Sequence, residues 1–345
     1  MSSAKQVISN AFESSALERL TRVLSQNGIK NRDVIALTPD ASTRNYFRVG
    51  WKKGTAVAAV YPEAFDPEFH PYLDVTNLFL KSDIPVPQIY AVDGPAGVIV
   101  QEDLGTQQLF QVFETEAEER CDEYKQQAIS LIARIQKATD TAREMNSIAS
   151  RLAFDEAKLS WELDFFFEHY FGSYRKESFS HAETAELKAE LNDIAAELAA
   201  ARRVLCHRDY HGANLMVDPK GRLRVIDHQD ARMGPASYDL VSFLLDRQPN
   251  PPSLAELRDH RLFFLEERRK AGLGILDPDE FACEFRLMAI QRGLKATGTF
   301  SYQTAVAGRG VFYESYLKPT LQIVLQSAVW LDRFPALQRI LKARI

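Results

Sequence analysis

Five residues past Asp209, in the run His207-Arg208-Asp209, stands Asn214, and thirteen past that, closing the apolar run LRVI, stands Asp227. The spacing H-R-D-x-x-x-x-N followed by a strand-end carboxylate suits phosphoryl transfer: the first Asp takes the proton of an attacking hydroxyl, while the Asn and the second Asp hold magnesium. That reaction asks little covalent work of a protein. A hard oxygen site for the cation and one positioned base, the latter worth ~10²–10⁴-fold, cover most of the requirement. A plainer reading stays open, since Asp and Asn also favour turns for local hydrogen-bonding reasons. Metal binding by His207 and His211 has less support, because no Glu or third His stands at zinc-protease spacing.

Bringing such groups together takes a strand-turn-strand unit beside a cleft. A chain of 345 residues exceeds the size at which one core stops growing, which predicts two lobes. SALERLTRVLS (15–25) has helical spacing, and VIALT (34–38), NYFRVG (45–50) and TAVAAVY (55–61) read as an antiparallel meander. A helix follows over Glu68 to Lys81, then strands QIYAV (88–92) and GVIVQ (97–101). Beyond Gly105 the pattern is helical near 107–139, 155–172 and 182–202, and again from Tyr238. Between these lies 204–230, a loop leading into a hairpin turned by Asp218-Pro219-Lys220-Gly221, which carries the polar cluster. The expected class is α+β and bilobal, with an antiparallel-sheet lobe over 1–103 and a mainly helical lobe over 104–345.

Composition narrows the partners. Apolar residues make up 46% and charged residues 26%, ordinary for a folded soluble chain, and the net charge of -5 offers no basic field for nucleic acid or an anionic bilayer. Cys121, Cys206 and Cys283 are far apart and read as buried thiols of a reducing compartment. With no apolar leader and no stretch near the ~18 apolar residues of a spanning helix, the expectation is a cytoplasmic protein without membrane, nucleic-acid or obligate protein partners.

The segments CHRDYHGANLMVD, VIDHQD and GPASYDLVSFL resemble the aminoglycoside phosphotransferase-like superfamily, whose members share the bilobal protein-kinase fold and phosphorylate small molecules. Protein kinases proper match less well: His228-Gln229 stands where D-F-G needs Phe-Gly, and A-P-E and a G-x-G-x-x-G loop are missing. DASTRNYFRV (40–49), QEDLG (101–105), HRDYHGANLM (207–216), DHQDARMGPASYDL (227–240) and MAIQRGLKATGTF (288–300) are similar to the bacterial anomeric N-acetylmuramate/N-acetylglucosamine kinases. The resemblance implies transfer from ATP, with Mg²⁺, to the C1 hydroxyl of an amino sugar in cell-wall recycling. It makes Asp209 the base, Asn214 and Asp227 the metal ligands, and Glu102, Asp103 and Leu104 the hinge that receives adenine. His207 and Asp239 would brace the catalytic loop, and Ser42, Thr43 and Arg44 would lie over the nucleotide phosphates, unless the latter three form only a solvated hairpin tip.

One departure stands out. TAVAAVYPE has no lysine where most kinases grip the α- and β-phosphates; Ala58 or Ala59 takes that place, and Arg44, Lys52 or Lys53 must supply the charge. Otherwise the chain would bind nucleotide as a silent regulator. On the late helix, Gln291 and Lys295 share a face with Arg292 beside them, and a basic wall there would repel cationic aminoglycosides and accept a neutral or carboxylate-bearing sugar. A solvated helix face is the alternative. Asp230 and Arg232 are further candidates for acceptor contact, as are Trp161, Glu162 and Asp164, although Phe165 to Phe167 beside them suit the core better. Another hydroxylated metabolite, including an aminoglycoside-type one, remains an alternative acceptor.

Overall fold

The computed structural model describes residues 15–29, 33–37, 44–52, 54–247 and 252–345. Ser42, Thr43 and Lys53 lie outside them.

Helix α1 (15–26) precedes a five-stranded antiparallel sheet of β1 (Val34–Leu37), β2 (Asn45–Trp51), β3 (Gly54–Val60), β4 (Ile89–Asp93) and β5 (Val98–Glu102), ordered β1-β2-β3-β5-β4. Strand alternation gives the sheet two chemically different faces. Phe47, Val49, Ala56, Ala58, Val60, Val98 and Val100 pack against Ala16, Leu20, Val23 and Leu24 of α1 in a small separate core. The opposite face carries Tyr46, Arg48, Ala59, Ile99 and Gln101, with Tyr46 opposite Ala59 and Ala59 opposite Ile99.

Helix α2 (Pro71–Lys81) starts three residues after the expected Glu68. Pro71 keeps His70 extended (φ -82°, ψ 117°), so Pro67–Phe69 forms a separate 3₁₀ turn capped by the Asp66 carboxylate. The buried side of α2, Val75, Leu78 and Phe79, belongs to the larger core of the helical region. Strand β5 ends at Glu102, and α2 packs into the larger core rather than the sheet–α1 core.

The stretch 107–139 is two helices, α3 (Leu109–Thr115) and α4 (Glu118–Lys137), because Glu116 and Ala117 are extended. Then come α5 (Thr139–Glu144), α6 (Ile148–Arg151), α7 (Glu156–Phe166) with a π-helical continuation over Phe167–Arg175, and α8 (His181–Ala200). The hairpin of β7 (Leu215–Val217) and β8 (Leu223–Val225) turns at Gly221 (φ 72°), with the buried Asp218 carboxylate accepting from the N–H groups of Lys220 and Arg222. Around it, β6 (Arg203–Cys206) pairs with β9 (Arg232–Pro235), a ladder the sequence reading left as loop. Four-residue strands carry too little alternation to stand out, and Gly234-Pro235 reads as a breaker. Gly234 is needed because a Cβ there would lie 2.7 Å from the Phe154 ring.

Helices α9 (Tyr238–Leu245), α10 (Leu254–Lys270), α11 (Pro278–Ala305), α12 (Gly310–Glu314), α13 (Leu317–Leu331) and α14 (Pro335–Lys342) complete the chain. Helix α11 is covered on nearly all sides in its middle: every residue from Phe285 to Leu294 is buried. Cys121 and Cys206 are buried as expected, but Cys283 is exposed on α11. Among the described residues no helix is long and apolar enough to cross a membrane.

Candidate active site

The β7–β8 hairpin and the loop before it bring Asp209, Asn214 and Asp227 together. Asn214 Nδ2 donates to the Asp209 carbonyl at 2.9 Å and lies 3.4 Å from Asp227 Oδ2. This leaves the amide oxygen and the Asp227 carboxylate as a pair of hard donors. Among the described residues no group of three His, Cys, Asp or Glu side chains could hold a metal. Two protein oxygens plus phosphate oxygens are what Mg²⁺ takes in phosphoryl-transfer sites, so this donor set fits that ion as a cofactor shared with a substrate. Asp227 sits at φ 62° and Arg208 at φ 88°, left-handed positions for residues with side chains, and Gln229 Nε2 donates to Asp227 Oδ1 at 2.9 Å.

Strained backbone needs support, and it is local. The buried Asp239 carboxylate, at the start of α9, accepts the N–H of His207 at 2.7 Å and that of Arg208 at 3.0 Å. His207 Nε2 lies 2.9 Å from the carbonyl of Ile226, the residue before Asp227, so one imidazole links the two halves of the loop. Burial pushes the Asp239 carboxyl up despite His207 and the two N–H groups.

Here the structure corrects the reading of α11. Gln291 and Arg292 do not line an open face. Gln291 is buried and donates to the buried Glu162, and Arg292 donates to the Arg208 carbonyl at 3.0 Å, to Ser242, and to Asp246 in an ion pair, while lying over the Tyr238 ring. A helix so deeply packed directs even its polar groups inward. Lys295, one turn from Gln291, is partly exposed and acts on Asp209. Burial pushes the Asp209 carboxyl up, and the positive charges of Lys295, Arg208 and Arg292 outweigh it, holding the group well below the usual carboxylate range.

Asp230 pairs with Arg208 at 2.7 Å, and Arg232 turns back on Asp230 and over the Phe154 ring. Arg208 thereby bridges Asp230 and Asp209, a link the motif alone does not announce. Trp161 is exposed beneath Lys158, and Asp164 pairs with Lys188 of α8. Phe166 is fully buried between Phe165 and Phe167, which are half-buried.

From the sheet side, Arg44 reaches within 3.8 Å of Asp227, its guanidinium lying over the rings of Tyr46 and Tyr61. Of the two alanines read at the place of the absent lysine, Ala59 shares the face of Tyr46, and Ala58 packs in the α1 core. Lys52 is exposed in the β2–β3 turn, at the opposite end of β2 from Arg44. The ladder ends at Ala56 opposite Glu102, where the backbone of Asp103 and Leu104 leaves the sheet. Two clamps fix this exit: Arg48 grips Asp103 at 2.7 and 3.0 Å, and Arg224 of β8 grips Glu102 at 2.6 and 2.9 Å. Neither arginine was singled out from sequence; the signal was a cationic residue at an inward strand position.

Helix α2 meets the loop through His228, whose Nε2 lies 2.7 Å from Thr76 Oγ1 and whose ring packs on Tyr72 and Phe79. Tyr72 also donates to Gln101 of β5 at 2.6 Å. Burial pushes the His228 imidazole well below its ordinary value.

A family model described as phosphotransferase enzyme family matches residues 33–272. The N-acetylmuramate/N-acetylglucosamine kinase of Neisseria meningitidis is 30% identical over 271 residues, 78% of this chain and 78% of its own. That of Pseudomonas aeruginosa is 29% identical over 297 residues, 85% of this chain and 83% of its own. Among solved structures, the choline kinase of Streptococcus pneumoniae superposes with a TM-score of 0.57 at 12% identity, covering 91% of this chain and 99% of the other. At that identity the likeness is one of fold.

Proposed function

Since the chain belongs to the phosphotransferase enzyme family, we propose that it transfers the γ-phosphoryl group of ATP to the anomeric hydroxyl of N-acetylmuramate or N-acetylglucosamine, in the cytoplasm, with Mg²⁺ as cofactor. The observation that carries this reading is the meeting of Asp209, Asn214 and Asp227 on one braced loop, together with the relatives' names.

Asp209 accepts the proton of the acceptor hydroxyl as its oxygen attacks the γ-phosphorus in line, the bond to the β-phosphate oxygen breaks, and ADP leaves with that electron pair. A carboxylate held ionised by Lys295, Arg208 and Arg292 orients the hydroxyl more than it deprotonates it in advance. The Asn214 amide oxygen and the Asp227 carboxylate would hold the cation, which when bound would supply positive charge against the phosphates. Arg44 grips the phosphates, and the backbone of Glu102 to Leu104 receives adenine. Lys295 and Arg208 flank the acceptor position with positive charge, which disfavours polycationic aminoglycosides and favours N-acetylated sugars.

A coupled assay of ADP release tests this: N-acetylmuramate or N-acetylglucosamine should stimulate turnover, and Asp209→Asn should abolish the stimulation. Ala59 in place of a lysine supports one rival, a nucleotide-binding regulator without turnover. Thermal stabilisation by ATP with no ADP release across a panel of sugars and amino alcohols would favour it.

A further inference from the structure

Helices α10 and α11 hold two arginines that the reaction above does not use. Arg286 of α11 is 1% exposed and Arg261 of α10 is 9% exposed. Nη1 of Arg261 and Nε and Nη1 of Arg286 are buried without a hydrogen-bond partner among the described residues. The Arg261 guanidinium lies 5.3 Å from the Phe285 ring, placing it against the residue next to Arg286, whose own guanidinium lies 5.6 Å from the Trp330 ring. The charged groups acting on this pair are themselves cations: burial and Arg258 push Arg261 down, and burial and Arg261 push Arg286 down to about 10.

Elsewhere the chain treats buried arginine differently. Arg292, six residues along the same helix, has Asp246, Ser242 and a carbonyl, and Arg224 has Glu102 and Asp218. A buried guanidinium is costly unless paired, and two side by side repel each other. Aromatic faces recover only part of this cost. An uncompensated pair is the complement of a group with two negative charges, and paired guanidinium forks match phosphoryl oxygens in geometry as well as charge. A single carboxylate would neutralise only half of it. Arg261, 9% exposed against 1% for Arg286, is the more accessible member of the pair.

We propose that Arg261 and Arg286 form a second anion site, separate from the catalytic loop, that binds a phosphoryl dianion. Trp330, 45% exposed beside Arg286, is the reporter. In full-length protein carrying Trp51→Phe and Trp161→Phe, Trp330 is the sole indole. Its emission is followed against orthophosphate at constant ionic strength, with Mg·ADP saturating.

The expected result is a saturable change that weakens at least tenfold in Arg261→Gln and in Arg286→Met. In phosphate-free buffer Arg286→Met should also melt higher than its parent, because an unpaired buried charge has gone. Should Arg286→Met fail to fold, Arg261→Gln, at the more open position, carries the comparison alone. A hexose 1-phosphate that binds more tightly than orthophosphate identifies a phosphate ester as the occupant, and the reverse order identifies free phosphate. No saturable response to either, an equal response in Arg261→Gln, or a lower melting temperature for phosphate-free Arg286→Met overturns the proposal.

Discussion

The two sides of the cleft meet at Asp227 and are built by different means. On the helical side each candidate group hangs from backbone that is itself tied to something buried: Asp239 holds the N–H groups of His207 and Arg208, Arg292 holds the Arg208 carbonyl, and Asn214 is anchored on the carbonyl of Asp209. On the sheet side the cation facing Asp227 is a long side chain, Arg44, guided by two tyrosine rings. Short side chains on braced backbone fix a position to a fraction of an ångström; a long one delivers charge with latitude. The difference would suit the proposed tasks: moving a proton needs alignment, whereas gripping a phosphate chain needs positive charge within reach.

The sharpest way to break this comparison is at the base. Asp209→Asn should lower kcat by ~10²–10⁴-fold, measured as ADP release, while nucleotide-dependent thermal stabilisation persists. Full activity in this variant would remove Asp209 from the proton path.

Next comes the brace. Arg292→Met should reduce kcat by roughly 10–100-fold with little change in either KM, and Arg292→Lys should recover part of the loss, because a misaligned loop harms the chemical step more than binding. A rise confined to KM for the sugar would mean that Arg292 contacts the acceptor after all.

Arg44→Met should instead raise KM for ATP by about tenfold, with a smaller fall in kcat, and adding Ala59→Lys should restore part of that binding. An unchanged KM for ATP would show that the sheet side contributes no phosphate grip.

The smallest effect concerns the hairpin itself. Interactions with Arg222 and two backbone N–H groups outweigh burial and push the Asp218 carboxyl down to about 2. A depressed folded value means that the ionised group stabilises the fold above its unfolded value, about 3.9, and that this is lost as pH falls toward the folded one. Asp218→Ala should cost about 1–2 kcal/mol near neutrality, and acid titrations of stability should show that gap closing as pH falls from about 4 toward 2. A gap of constant size would exclude the carboxylate as its source.

What sequence conveyed and what it hid follow from how each feature is encoded. The β2–β3 pairing, α8 and the β7–β8 hairpin are legible because period or turn chemistry is local. The β6–β9 ladder is not, since its pairing joins short segments nearly thirty residues apart in the chain. Asp209, Asn214 and Asp227 declare themselves by spacing, and Asp239 by resemblance. Arg292 and Gln291 misled because a periodicity argument tells which residues share a helix face but not whether that face is covered; α11 is buried on nearly all sides at that level. Arg224 and Arg48 were passed over because a strand cation reads as solvated until its carboxylate partner, dozens of residues away, is placed opposite it.

The joint between α2 and the loop has a consequence for how the helix is held. Thr76, Tyr72 and His228 make it by hydroxyl contacts and ring stacking, while β3 offers an alanine and the helix's Asp74 is engaged by Ser147 and Ile148. Among the described residues no ion pair joins α2 to the loop at this joint. A joint of this kind holds α2 against the loop by shape and hydrogen bonding rather than by opposed charges.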